Sequence, residues 1–321
     1  MMHLHEEDVH ALLQPAELVD VLRQAFVSDI QAPHRTHHHI PGSDAATMLL
    51  MPAWSANAFG VKVLTVDPAR TQKGFPSIDG LYLLMDGVSG APLAVIGARA
   101  LTAARTAAVS ALAASYLARP DVSTLLMVGT GNLAPLVIEA HCSVRNYERV
   151  MIWGRDQRKA EAVRDRLKVR VEMVIATELN RAVASADVIS CATSSTRPLV
   201  HKTDVRPGTH VDLIGSYTPK MREADNELFL DARVFVDTKD AVAESGDLIG
   251  PCFTGSLDPM AIRDLPELIR DPNLGRRYAK DVTIFKATGT AKADLAVARH
   301  LVARHAASQE KPRSTTEDIS R

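Results

Sequence analysis

Thr124–Ala134 reads TLLMVGTGNLA, and the fold turns on this stretch. Leu125, Leu126, Met127 and Val128 form an apolar run that suits a strand buried on both faces. The run ends in Gly129-Thr130-Gly131, and Asn132, Leu133 and Ala134 lead into a helical pattern. A buried strand that passes through a glycine turn into a helix N-terminus makes a diphosphate site. Gly129 permits the sharp turn, Gly131 has no Cβ to keep a phosphate from the backbone N–H groups, and Ala134 allows close helix–strand packing. The G-x-G-x-x-A spacing also occurs in ordinary glycine turns, so its surroundings decide.

Those surroundings alternate strand and helix. After the helix that follows the loop come a strand at Arg149–Trp153, a charged helix over Gln157–Leu167, a short strand at Val171–Ile175 and a helix over Leu179–Ala186. Further strands are expected at Val188–Ala192, Thr209–Ile214, Val234–Asp237 and Asp281–Phe285. This rhythm predicts an α/β, Rossmann-like, doubly wound and mainly parallel sheet, with the glycine loop as its dinucleotide site. Thr193 follows a strand on the carboxyl edge, where such cofactors lie. NAD sites usually end the second strand with an acid that binds the ribose 2′-OH. Here that slot holds Gly154, with Arg155 beside it and Arg158 a helical turn on. A 2′-phosphate would be paired by Arg155, so NADP(H) is the preferred cofactor; Asp156 keeps NAD(H) possible.

Residues 1–120 follow another pattern. Leu12–Ile30 has amphipathic helical spacing with Pro15 near its start. Met48–Met51, Gly60–Val66, Leu81–Met85 and Pro92–Ile96 read as strands with hairpin character, turning at Asp86–Gly90. Among the adjacent histidines 37–39, only His37 and His39 share a strand face, and no acid or cysteine completes a metal set, so no metal is expected. Lys62 interrupts an apolar strand: it is either an edge residue facing water or a buried cation that meets an anion. Arg105 stands in an Ala-rich helix built for burial, where a guanidinium needs a carboxylate, whether from the protein or a ligand. Arg119-Pro120-Asp121 marks a boundary.

Composition narrows the partners. The chain has 321 residues, 46% of them apolar, and a formal charge of −1, which attracts neither nucleic acid nor an anionic membrane. Cys142, Cys191 and Cys252 are too far apart for a C-x-x-C pair and fit a reducing, cytoplasmic setting. Neither an N-terminal apolar region nor an uninterrupted membrane-length run is present. The polar tail from Ser308 to Arg321 is expected to fray.

Arg35, Lys62, LTAARTAA at 101–108, GTGNLA at 129–134, the Arg-Glu-Ala-Asp run ending at Asp225, ESGDL at 244–248 and FKATG at 285–289 together resemble the ornithine cyclodeaminase/mu-crystallin family over nearly the whole chain. The resemblance implies an NAD(P)-binding domain over 120–289 and a second, α+β domain from residues 1–119 and 290–321 that binds substrate and forms a homodimer. It implies that Arg35, Lys62 and Arg105 hold a substrate carboxylate, and that Asp225, with Lys62, serves the reacting nitrogen and C2. Several reactions occur in this family. Gly154-Arg155 departs from the acidic cyclodeaminase pattern, and the tail lacks a long C-terminal extension. Reduction of the cyclic imino acid Δ1-pyrroline-2-carboxylate, and also Δ1-piperideine-2-carboxylate, to L-proline or L-pipecolate is therefore the expected reaction, in hydroxyproline or lysine breakdown. The alternatives are an ornithine cyclodeaminase with bound NAD and a non-catalytic, crystallin-like binder of NADPH and a small ligand.

Overall fold

The computed structural model describes residues 1–41 and 46–310. The first part contains β1 (Met2–Leu4), α1 (Glu6–Leu12), α2 (Pro15–Phe26), β2 (Thr36–His39), β3 (Thr47–Trp54), β4 (Ala58–Val66), β5 (Ile78–Asp86), β6 (Pro92–Gly97) and α3 (Ala98–Leu117). Its sheet runs β1-β6-β5-β4-β3-β2, antiparallel except for β1 beside β6. The amphipathic repeat after Leu12 begins a new helix, because Pro15 fits only a first turn: α1 ends at Leu12 and α2 starts on the proline. The Asp86 carboxylate shapes the β5–β6 turn by accepting the Ser89 N–H (2.7 Å) and the Val88 N–H (3.2 Å).

The second part contains β7 (Thr124–Val128), α4 (Leu133–Val144), β8 (Arg149–Trp153), α5 (Gln157–Arg166), β9 (Glu172–Ile175), α6 (Leu179–Ser185), β10 (Val188–Cys191) and β11 (His210–Leu213). It continues through β12 (Arg233–Val236), α7 (Ala241–Glu244), α8 (Gly246–Thr254), β13 (Arg263–Asp264), α9 (Leu265–Arg270), β14 (Thr283–Lys286) and α10 (Ala291–Glu310). Its strands pair in parallel in the order β13-β12-β14-β11-β10-β7-β8-β9. The chain order reverses between β7 and β10, which puts the switch point at the glycine loop. The last strand, β14, inserts between β11 and β12, a pairing no local pattern announces. Both faces of the sheet are covered, so Leu125–Val128 are fully buried.

Three contacts join the two sheets. Alanines and leucines bury α3 along its length, so it packs closely on α2 and α4. Asp187, at the start of β10, accepts the N–H groups of Ser123 (3.0 Å) and Thr124 (3.1 Å) and pairs with Arg119 (2.9 Å), fixing the boundary segment. After β14 the chain leaves the parallel sheet, and α10 returns to pack on α2, β3 and β4. The helix persists through Glu310; the rest of the polar tail lies outside the described residues. No helix among the described residues is long and apolar enough to cross a membrane.

Candidate active site

Lys62 lies in the interior strand β4, opposite Met51 and Tyr82, on the face turned to α3 and α10. The edge-strand reading fails: its side chain is 0% exposed. Burying an ammonium costs several kcal/mol unless a partner compensates. The compensation comes from Asp294 in the first turn of α10, whose Oδ2 lies 2.7 Å from Lys62 Nζ. Asp294 Oδ1 accepts Arg105 Nε at 3.0 Å, so one carboxylate holds both cations. Lys62 Nζ also donates to Thr102 Oγ1 at 3.3 Å, one helical turn before Arg105. Burial pushes the ammonium pKa from 10.5 down to about 7; Asp294 opposes that fall and Arg105 adds to it. Burial alone would raise the Asp294 pKa, yet Lys62 and Arg105 outweigh it and keep the acid below its ordinary value.

These contacts leave donors over. Lys62 Nζ gives one hydrogen bond, to Thr102, and meets Asp294 Oδ2 as an ion pair. Nη1 and Nη2 of Arg105 bond no group among the described residues, although the side chain is only 7% exposed. Gly289, at φ +90°, explains how the guanidinium keeps this space: a Cβ there would lie 2.5 Å from both Arg105 terminal nitrogens. The same FKATG loop receives Arg35, whose Nη2 donates to Gly289 O at 2.6 Å and Thr288 O at 3.0 Å. Glu244 takes Arg35 Nε and Nη2, each at 3.0 Å. Arg35 thus clasps the two parts of the chain together, and Nη1 is its one terminal nitrogen without a bond among the described residues. The backbone of Thr288 and Gly289 is fixed from below by buried Asp237, which accepts both N–H groups, at 3.2 and 2.6 Å.

At the nucleotide edge, Gly129 adopts φ +124° and a Cβ would lie 2.6 Å from Ala192 O, so only glycine fits between β7 and β10. Gly131 and Asn132 are exposed at the start of α4, with Leu133 its first residue, and a Cβ on Gly131 would meet nothing within 4 Å. Thr130 packs its Cγ2 where a Cβ on Gly154 would be, 2.5 Å away, bringing the ends of β7 and β8 into contact. Arg155 is exposed and unpaired among the described residues. Asp156 caps α5 by accepting the Arg158 N–H at 3.0 Å, and the Arg158 side chain is exposed beside it. This open glycine turn at a helix N-terminus, where the first amides have no intrahelical partners, fits a dinucleotide diphosphate.

The structure does not bring Asp225 to the Lys62 cluster. Its Oδ1 accepts the Leu228 N–H (2.9 Å), and its Oδ2 accepts the Lys202 N–H (3.1 Å) and faces His201 Nδ1 (3.2 Å). It thereby stabilises a turn beside an open surface depression lined by Pro198, His201, Arg222 and Asn226. The buried acid of that run is Glu223, which accepts the Thr193 N–H (2.7 Å), Thr193 Oγ1 (2.8 Å) and the Gly215 N–H (2.7 Å). Thr193 is therefore engaged through its amide and hydroxyl, and Glu223 ties the ends of β10 and β11 together. Burial lifts the Glu223 pKa to about 7, against the pull of Lys286. Lys286 in turn faces Asp247 at 3.5 Å, a second buried ion pair on the carboxyl edge.

The chain matches known proteins over most of its length. The family model of the ornithine cyclodeaminase/mu-crystallin family covers residues 1–309. A Δ1-pyrroline-2-carboxylate reductase of Colwellia psychrerythraea is 32% identical over 94% of this chain and 98% of its own. The solved Δ1-pyrroline-2-carboxylate reductase of Thermococcus litoralis, in complex with NADH and L-proline, superposes with a TM-score of 0.91 at 29% identity, over 96% of this chain and 98% of that one. An archaeal alanine dehydrogenase dimer with bound NAD superposes with a TM-score of 0.89 at 26% identity, over 96% and 97% of the two chains. With the family model matched over residues 1–309 and a relative 32% identical over 94% of its length, the chain belongs to the ornithine cyclodeaminase/mu-crystallin family.

Proposed function

We propose that this protein is an NAD(P)H-dependent imino-acid reductase that converts Δ1-pyrroline-2-carboxylate, and its six-membered homologue, to L-proline or L-pipecolate. The observation that carries this reading is the buried Lys62–Asp294–Arg105 group. Two cations on one carboxylate leave a net charge of one, and the Arg105 terminal nitrogens, which bond no group among the described residues, remain as charged donors for a carboxylate. In a cyclic 2-imino acid the carboxylate and the ring nitrogen sit on the same carbon, so an ammonium bound to the first also reaches the second. Lys62 therefore takes the part that Asp225, committed to its turn, does not: its pKa near 7 lets it hold or give a proton at the ring nitrogen. Arg105 and Lys62, with Arg35 Nη1 at the rim, fix the substrate, and the Ala-rich α3 behind them excludes water. When bound on the β7–α4 loop through Gly129, Thr130, Gly131, Asn132 and Leu133, a reduced nicotinamide supplies a hydride. No metal is required, because a protonated imine is its own electron sink.

In this reading residues 120–289 hold the dinucleotide, and residues 1–119 with 290–321 hold the substrate and the dimer contact. Arg155 favours NADPH, since just past the end of β8 it is a cation without a partner among the described residues, while Asp156 is used as a cap. Assays of the imine with NADPH and NADH in parallel, beside L-ornithine and each cofactor alone, test the function. Imine-dependent oxidation of NADPH supports it; ammonia release from ornithine without net cofactor turnover marks a cyclodeaminase, and ligand binding without turnover marks a binder. Arg155→Ala is expected to raise the KM for NADPH about tenfold or more while leaving NADH unchanged, the cost of one charge-assisted contact.

The homodimer has its own support. The outer face of the first sheet presents Pro52 and Trp54 of β3, Phe59, Val61 and Val63 of β4, and Leu81 and Leu83 of β5, with Trp54 46%, Phe59 38% and Leu81 43% exposed. An apolar lattice of this kind is what a second copy would bury. The double variant Val61→Glu/Leu83→Glu is expected to elute as a monomer in light-scattering chromatography where the parent elutes as a dimer.

A further inference from the structure

Asp294 is a third ionised group between the two cations that the proposed function assigns to the substrate, and it comes from the first turn of α10. We propose that Asp294 is a positioning residue for the reduction: it sets the place of the Lys62 ammonium and the Arg105 fork, and keeps a proton on Lys62 for delivery to the ring nitrogen. This rests on the imino-acid reading above.

The geometry separates the two oxygens by task. Oδ1 holds Arg105 by Nε alone, at 3.0 Å, which turns both terminal nitrogens away from Asp294 and against Gly289, where the lack of a Cβ gives them room. Oδ2 lies 2.7 Å from Lys62 Nζ as its ion-pair partner, and Thr102 Oγ1 accepts a hydrogen bond from the same nitrogen at 3.3 Å. Every charged or titratable group around Lys62 enters the balance. From α3 Arg105 repels its proton, as does Arg35 from the segment before β2; from α10 Asp294 attracts it. On β5 the neutral Tyr82 hydroxyl, buried and without a hydrogen bond among the described residues, gives no charge compensation. β3 places the apolar Met51 beside it. Asp294 is thus the one anion in this balance among the described residues, and with the hydrogen bond to Thr102 it keeps the ammonium charged against burial and two cations. Delivery then balances simply: the Lys62 N–H bond breaks, a ring N–H bond forms, and Lys62 regains its proton from solvent between turnovers.

The test compares the parent, Asp294→Asn and Asp294→Glu in the full-length protein, by pH profiles of kcat/KM and by NMR titration of the 13C-labelled Lys62 side chain without substrate. Lys62→Met identifies the lysine signal. In Asp294→Asn the lost anion is expected to move the alkaline limb and the Lys62 titration acidward by about one pH unit or more. Asp294→Glu keeps the charge but displaces it. It is expected to hold the limb near that of the parent while kcat falls at least tenfold and the KM for NADPH stays unchanged. An unmoved Lys62 titration in Asp294→Asn, or equal losses at every pH, overturns the proposal and leaves a purely structural ion pair. If Asp294→Asn does not fold, Asp294→Glu decides: unchanged kcat, or a limb displaced by a unit, overturns it. The substrate-free titration keeps this result distinct from a failure of the imino-acid reading, which shows as a parent enzyme that does not turn over the imine.

Discussion

Lys62→Met is expected to lower kcat/KM for Δ1-pyrroline-2-carboxylate by about 10²–10³-fold, the cost of removing one partner of a buried charged pair (roughly 2–5 kcal/mol). Methionine keeps the apolar stem that β4 packs against α3 and α10, so the loss reports the ammonium. The change removes a contact to the substrate and the proton at its nitrogen together, and both kcat and KM should suffer. Folding should hold better than breaking a simple pair suggests, because Asp294 retains Arg105 at 3.0 Å. Circular dichroism and dinucleotide binding check that point: the variant should melt cooperatively and bind NADPH as the parent does. A variant with normal kcat/KM would remove Lys62 from the reaction altogether.

Arg105→Lys is the second large expected effect, again about 10²-fold in kcat/KM, although the charge is conserved. Asp294 uses only the Nε edge of the guanidinium. A lysine ammonium is a single point and cannot serve Asp294 and still supply the separate terminal nitrogens that the guanidinium keeps beyond it. The loss should fall mainly on KM, because the proton function stays with Lys62. Substrates that lack the carboxylate should be insensitive to the change. Steady-state assays with pyrroline-2-carboxylate and with unsubstituted pyrroline separate the two cases.

How far these features are legible in the sequence depends on whether the physics is local. The glycine loop, the strand–helix alternation after Thr124 and the hairpins before Arg99 follow from periodicity and turn chemistry, and the structure repeats them. Lys62 and Arg105 stand out for the same reason, since a charge inside an apolar run demands an explanation. The insertion of β14 between β11 and β12 is set by tertiary pairing alone. The short β1 gains its hydrogen bonds only by lying beside β6, some ninety residues on.

Asp294 is hidden because an acid in the first turn of a helix is ordinary. The signal that marks it is arithmetic: two buried cations need an anion, and Ala293, Asp294 and Leu295 lie in the buried first half of α10. Asp225 shows the complementary limit. Its place after β11 and its glycine turn is right for a site, but side-chain direction is not encoded in spacing, and its carboxylate is spent on the N–H groups of Lys202 and Leu228. Glu223, two residues earlier, points inward and binds the ends of β10 and β11 instead.

The central claim is that a cyclic imino acid, clamped through its carboxylate by Lys62 and Arg105, takes a hydride at C2. Reaction with NADPH carrying deuterium at nicotinamide C4, followed by mass and NMR analysis of the product, tests it most directly. When the deuterium is on the transferred face, the account predicts L-proline bearing one deuterium, at C2, formed in step with NADPH consumption. Unlabelled proline, D-proline, or no proline from an enzyme that binds both ligands would contradict it.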